Sequence, residues 1–290
     1  PGPVRSGAGR HPDRPAGAGC WAHTVRGGSL TGVPAPSAPR SRLRVGIVGA
    51  GRAGTALGFA LEQAGHQVLA VSAVSDASQE RARRMLPRAI LVPDEAVPVE
   101  TDLVVLAVPD DQLPGVVTGL SVAGAWQPGQ IVVHTSPWHG IGVLEPARSR
   151  PGAPDVLPLA LHPCVALSGR PEDLDRLSGA VFAVTTLRSL RPLGEALVME
   201  MGGEPVWIEE EDRPVYAASL TAVSEQIGLV LRSATAVLAE CGIPDPRRAL
   251  APLVTALAAD ALRTGSVAAT GVVAFDQPPD TPRADPEELP

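Results

Sequence analysis

The chain has 290 residues, 44% of them apolar, with a formal charge of −7. That is room for one sizeable domain and a smaller one, and the acidic balance without a basic patch argues against a nucleic-acid binder. All 24 basic residues are arginine, and neither lysine nor asparagine occurs, so Schiff-base chemistry, a P-loop lysine and a lysine general acid are excluded.

Residues 1–40 are rich in glycine and proline, show no apolar periodicity and read as disordered. They lack the continuous apolar core of a signal peptide. Leu43 to Val48 then reads as a buried strand. Gly49-Ala50-Gly51-Arg52-Ala53-Gly54 follows at once and opens a helix over 53–64. In a dinucleotide fingerprint the first glycine makes the tight turn, the second admits a pyrophosphate, and the third lets helix pack on strand. The phosphates would lie on the free N–H groups of the helix N-terminus.

From 43 to about 208 the pattern alternates. Strands are expected at 43–48, 67–74, 89–92, 102–108, 130–134, 156–161, 180–185 and 204–208, and helices at 53–64, 77–86, 111–120, 140–148 and 189–202. Strands as apolar as Leu103 to Val108 suit a parallel sheet covered on both faces. The last two strands extend this sheet or run antiparallel. Past Glu209, Pro214 suits a first helical position and predicts a long helix to residue 240. Gly242-Ile243-Pro244 ends it, and Pro246 opens a second helix that stops at Gly265. Both are apolar on several sides, which predicts packing against a second domain or subunit. The expected fold class is α/β, a doubly wound, mostly parallel Rossmann sheet followed by a smaller all-α domain. Its divisions are a disordered 1–40, a dinucleotide-binding domain 41–208, a helical domain 209–277 and a disordered tail 278–290.

Three strands end in polar groups on the side where open α/β sheets bind ligands. One runs through Val108 and Pro109 into Asp110-Asp111, one ends in His134-Thr135-Ser136-Pro137-Trp138-His139-Gly140, and one in His162-Pro163. Asp110 and Asp111 either cap the next helix or contact a ligand. His134 is a core histidine or a site residue. Thr135 and Ser136 donate to a carbonyl or make a turn. His139 and His162 are candidates for proton transfer, since histidine titrates near neutrality. Ser75, Asp76, Ser78 and Arg81 follow the second strand. Ser75 and Ser78 with Arg81 suggest a phosphate pocket and hence NADP, while Asp76 would serve the ribose of NAD or cap the helix. The cofactor set is therefore Gly49, Ala50, Gly51, Arg52, Ala53, Gly54, Ser75, Asp76, Arg81, Val108, Pro109 and Asp110. The run Glu209 to Asp212 reads as a solvated helix entry. Cys20, Cys164 and Cys241 fit neither a disulfide framework nor zinc spacing, which suits a reducing cytoplasm. Cys164 and Cys241 lie among apolar residues and are expected to be inert. No metal site is expected, and no apolar stretch reaches the roughly 18 residues of a membrane span.

Val45 to Gly54, Val74 to Ser78, Ala107 to Asp111, His134-Thr135-Ser136, His139-Gly140, Leu161-His162-Pro163 and Met201 to Pro205 together resemble one bacterial family. Its members join a Rossmann-like NAD(P)-binding domain to a helical C-terminal domain of unknown function. That domain is similar to the C-terminal domains of the 6-phosphogluconate dehydrogenase-like superfamily. The resemblance spans about residues 43–272. It implies kinship with ketopantoate reductases, pyrroline-5-carboxylate reductases and deazaflavin-dependent NADP reductases, and thus reduction of a small oxo-acid with NADP. Pro137 and Trp138 depart from the family pattern, as do Glu225, where members often carry asparagine, and the stretch after Thr270-Gly271. Ketopantoate-type reductases usually supply a lysine. Here His139 or His162 would replace it, with Ser136 and His134 orienting substrate or nicotinamide and Glu225 a further candidate. A homodimer through the helical domain is expected, as is a small-molecule substrate. A nucleotide-binding sensor without catalysis is the alternative.

Overall fold

The computed structural model describes residues 42–148 and 156–265. The expectations for 1–40, 278–290, Cys20 and Thr270-Gly271 lie outside the described residues. One eight-stranded sheet organises the rest. It comprises β1 (Arg44–Val48), β2 (Gln67–Ser72), β3 (Ile90–Leu91), β4 (Leu103–Leu106), β5 (Ile131–His134), β6 (Leu157–Pro163), β7 (Val181–Thr186) and β8 (Glu204–Trp207). The order across the sheet is β3-β2-β1-β4-β5-β6-β7-β8. β1 to β6 pair in parallel, β7 runs antiparallel to β6, and β8 pairs in parallel with β7. The final two strands thus extend the sheet in the reversed direction.

Helices cover both faces, which is why β4 is apolar throughout. Leu103 and Val105 point into one core with Leu57 and Leu61 of α1 (Arg52–Gln63), Met85 of α2 (Asp76–Met85) and, further along the sheet, Leu197 of α5 (Arg191–Glu200). Val104 and Leu106 point into the other with Leu113, Val117 and Leu120 of α3 (Leu113–Val122). A short α4 (Asp173–Leu177) was not anticipated. The helix expected at 140–148 is a 3-10 stretch, Ile141–Ala147. Its buried residues, Leu144 and Ala147, are three apart, as a three-residue turn requires, and Pro146 within it would break an α-helix.

Beyond β8 the chain forms α6 (Arg213–Glu240) and α7 (Pro246–Thr264), ended by Gly265 in the left-handed conformation. Only Arg213 and Ala217 of α6 are buried, and no residue of α7 is. No described helix is long and apolar enough to cross a membrane.

Candidate functional site

The glycine loop has the geometry a dinucleotide needs. Gly49 has a φ of 95°, a left-handed conformation that disfavours a side chain. Its N–H donates to Ser72 Oγ at 3.1 Å, and the Ala50 N–H to the Ser72 carbonyl at 2.8 Å, so β2 holds the loop. A Cβ on Gly54 would lie 2.2 Å from the Gly49 carbonyl and 3.0 Å from Ala107 Cβ, so only glycine lets α1 sit this close. Gly51 differs: a Cβ there would find no atom nearer than 3.7 Å. No side chain caps α1 at Gly51, which leaves its first N–H groups for an outside anion.

α2 and the turn after β6 enclose this loop. Arg81 Nη1 donates to the Ala50 carbonyl at 3.0 Å, and Arg84 Nη2 to the Gly169 carbonyl at 3.3 Å. Gly169 is fixed from below by Asp173, whose carboxylate accepts from the N–H groups of Ser168, Gly169 and Arg170. Burial pushes that carboxyl's pKa up, but these bonds outweigh it and hold it below the usual range. Ser75 and Ser78 form a capping box on α2, so their hydroxyls already serve the helix start. The phosphate pocket read from them is corrected to that extent: Arg81 alone of the three turns to the glycine loop. Asp76 is exposed in the first turn of α2 and is not its cap.

A crevice of about 510 Å³ runs from the glycine loop across the carboxyl ends of the strands. Gly51, Arg52 and Ala53 line one end, Val108 and Pro109 the middle, and Thr135, Pro137, His162 and Pro163 the other. Asp110 is half-buried and Asp111 exposed beside it; neither caps α3, which has no side-chain cap.

Alternate residues of the 134–140 loop face opposite ways. Thr135 and Pro137 line the crevice, while His134 and Ser136 are buried in the fold. His134 Nε2 lies 2.9 Å from the Gly140 carbonyl, and its Nδ1 accepts the Ser136 N–H at 3.3 Å. Burial above all lowers its pKa to about 3, so the ring is neutral. The orienting role expected of His134 is corrected accordingly: both ring nitrogens fasten its own loop. Ser136 Oγ accepts the N–H groups of Trp138 and His139 at 3.2 and 3.4 Å, a turn rather than a ligand contact. His139 is half-buried in the loop and does not line the crevice.

Residues 210–216 brace the loops and strands that carry the site, and sequence reasoning missed them. Glu210 is not merely a solvated helix entry. Its carboxylate accepts the Ile141 N–H at 2.7 Å and the Gly142 N–H at 2.9 Å. Arg213 is fully buried and donates to Thr185 Oγ1 and to the carbonyls of Ser136, Ala160 and Ala183 at 2.8–3.3 Å. No carboxylate bonds it among the described residues, and burial lowers its pKa to about 10. It remains a cation, and it ties the 136 loop, β6 and β7 to the start of α6. One signal was available: a base in a helix's first turn opposes the dipole, so Arg213 needed another reason to be there.

One turn along α6, the Tyr216 hydroxyl lies 2.8 Å from His162 Nδ1, with the rings edge to face at 5.6 Å. Burial, then the charge of Arg213, lowers the His162 pKa to about 4. Burial raises that of Tyr216, as does Cys164 beside it. Cys164 and Cys241 are both exposed. Glu225 lies further along α6 beside a shallow groove with Leu229 and Arg232 and does not line the crevice.

Comparison with family models matches residues 33–163 to a Rossmann-like domain and residues 180–274 to a domain of unknown function, DUF2520. No curated protein matches the chain. Among solved structures, a protein from Bacteroides fragilis assigned as an NADP oxidoreductase is similar with a TM-score of 0.63 at 16% identity, over 76% of this chain and 81% of that one. A Plasmodium falciparum pyrroline carboxylate reductase with NADP bound is similar at 0.53 and 12% identity, over 77% and 80% of the two chains. Prephenate dehydrogenase from A. aeolicus, solved with NAD+ and hydroxyphenyl propionate, reaches 0.50 at 18% identity, over 61% and 63%. At these identities the likeness is one of fold. The shared fold is a mostly parallel Rossmann-like sheet followed by a helical C-terminal region, the first part matched by the Rossmann-like model and the second by the DUF2520 model.

Proposed function

We propose that the protein is an NADP-dependent oxidoreductase that reduces a small oxo compound, with oxo-acids of the ketopantoate kind as the first class to assay. The observation that carries this reading is the single crevice joining the glycine loop to His162 and Thr135. Gly49 to Gly54 would hold the pyrophosphate, and Val108 and Pro109 would bound the nucleotide's path. Arg81, already turned to the loop through Ala50, favours a 2′-phosphate, with Ser75 and Asp76 at the start of α2 beside the ribose. The relatives' cofactors, NADP in one and NAD+ in another, support a nicotinamide dinucleotide in general. Bound there, it would supply the hydride.

The chain's own groups would bind and polarise the substrate. His162 is the histidine of the crevice, and Thr135 rather than Ser136 is the hydroxyl. In this reading residues 41–208 bind the nucleotide, and residues 209–277 form a helical domain that completes the site and pairs with a second copy.

The test is a fluorescence titration with NADPH, followed by a panel of oxo-acids monitored at the nicotinamide absorbance. Binding and turnover are expected. His162→Ala should keep NADPH affinity within about twofold and lower kcat by 10²-fold or more, the usual scale for a polarising or proton-transfer group. His139→Ala should change turnover little. Equal loss in both, or none in either, would overturn the assignment to His162. Tight NADPH binding with no oxidation of any carbonyl would favour a sensor.

A further inference from the structure

His162, which lines the crevice, and Tyr216 come from different parts of the chain, 54 residues apart, and meet at 2.8 Å. A hydroxyl opposite an imidazole nitrogen can donate or accept, and which it does decides what the other ring nitrogen offers. The neighbour competing for the Tyr216 proton is the Cys164 thiol, whose sulfur is a weak acceptor, whereas a neutral imidazole nitrogen is a strong one.

We propose that Tyr216 is a positioning residue that donates its hydroxyl hydrogen to His162 Nδ1 and so fixes His162 as the Nε2–H tautomer, a neutral hydrogen-bond donor for a carbonyl oxygen in the crevice. This rests on the functional reading above and adds to it that the imidazole acts as an electrophile rather than as an imidazolium acid. Three observations agree with it. No described residue bonds His162 Nε2, while His162 lines the crevice. The edge-to-face contact with Tyr216 fixes the ring plane as well as the proton. The buried Arg213 cation lies close enough to disfavour a second positive charge on the imidazole. Burial also keeps Tyr216 in its phenol form, so the donor does not titrate away near neutrality. A neutral imidazole held in one tautomer can stabilise charge developing on a substrate oxygen without delivering a full proton first.

The experiment is ¹⁵N–¹H correlation spectroscopy of the full-length protein labelled at histidine, without nucleotide, at pH 7. His162 is assigned by the signal lost in His162→Gln. The expected wild-type spectrum shows His162 with a bare Nδ1 and a protonated Nε2. Tyr216→Phe, which keeps the ring, should replace this with a mixture of tautomers. A wild-type Nδ1–H tautomer, or a Tyr216→Phe spectrum with the Nε2–H tautomer unchanged, would overturn the proposal. Because the readout needs neither cofactor nor substrate, its failure is distinct from a failure to bind NADPH. In turnover, Tyr216→Phe should then lower kcat by about tenfold, with KM for NADPH unchanged.

Discussion

His134 and His162 are both kept neutral by burial, for different ends. His134 is enclosed by its own loop and joins Gly140 to Ser136, whereas His162 presents an edge to the crevice. Both titrate near 6.5 in an unfolded chain. In the folded chain their values drop to about 3 and about 4. Between those limits the unfolded chain binds more protons, so stability rises with pH. The contribution is complete above about pH 6.5 and is lost as pH falls towards 4 for His162 and towards 3 for His134. The slope for each is up to about 1.4 kcal/mol per pH unit. Denaturant midpoints between pH 7 and 5 should therefore fall steeply, and His134→Gln should reduce the slope; a flat profile would show that neither ring is held neutral. The sequence could place these histidines at strand ends, because apolar runs ending in polar groups mark the carboxyl edge of a sheet. It could not show which ring faces the ligand. Residues 134 to 137 alternate between fold and crevice, and their phase is set by packing with residues 210–216, far away in the chain.

The same distance explains what was hidden at the level of elements. β1, α1 and the glycine loop were legible because the strand, the turn and the helix are contiguous, and Gly49 and Gly54 have local reasons, a left-handed turn and the approach of the Gly49 carbonyl. The stretch 141–147 was not legible, since its start is held by a side chain from near residue 210 rather than by a local cap. Glu210 donates no proton there; its carboxylate accepts the N–H groups of Ile141 and Gly142. Gly140 makes room for it, because a Cβ would lie 2.0 Å from Glu210 Oε2. Gly140→Ala should thus act through Glu210, expelling the carboxylate and costing about 1 kcal/mol, the scale of a lost helix cap. Glu210→Ala should cost a similar amount. The two together should cost little more than either alone, since both remove the same pair of bonds. Additive losses in urea denaturation would show instead that Gly140 is needed for its backbone and not for the carboxylate beside it.

At the scale of the whole molecule, the two C-terminal helices are the part least satisfied within one chain. Their apolar character was plain in the sequence, and so was the need for a partner surface. The Rossmann-like sheet does not provide it, as α6 buries only its first turns there. Val223, Ile227, Val230 and Val237 are about half exposed or more, at 58, 48, 63 and 53%. Their spacing of four, three and seven residues puts them on one stripe of α6, the seam by which helices pair. Beside it, Leu231, Leu250 and Val254 line an apolar groove between α6 and α7. A stripe that long on an isolated hairpin would be an aggregation liability, and a second copy of the same hairpin offers a surface of matching character. Light scattering on the purified chain should accordingly give twice the monomer mass of 29.8 kDa at micromolar concentration. Ile227→Glu combined with Val230→Glu should yield a monomer, because each buried carboxylate would cost several kcal/mol with no cation opposite. If the helical domain of one copy also completes the crevice of the other, turnover in that variant should fall while NADPH still binds to the glycine loop. A monomeric wild type would leave the α6 stripe to a different partner and restrict the site to the residues of one chain.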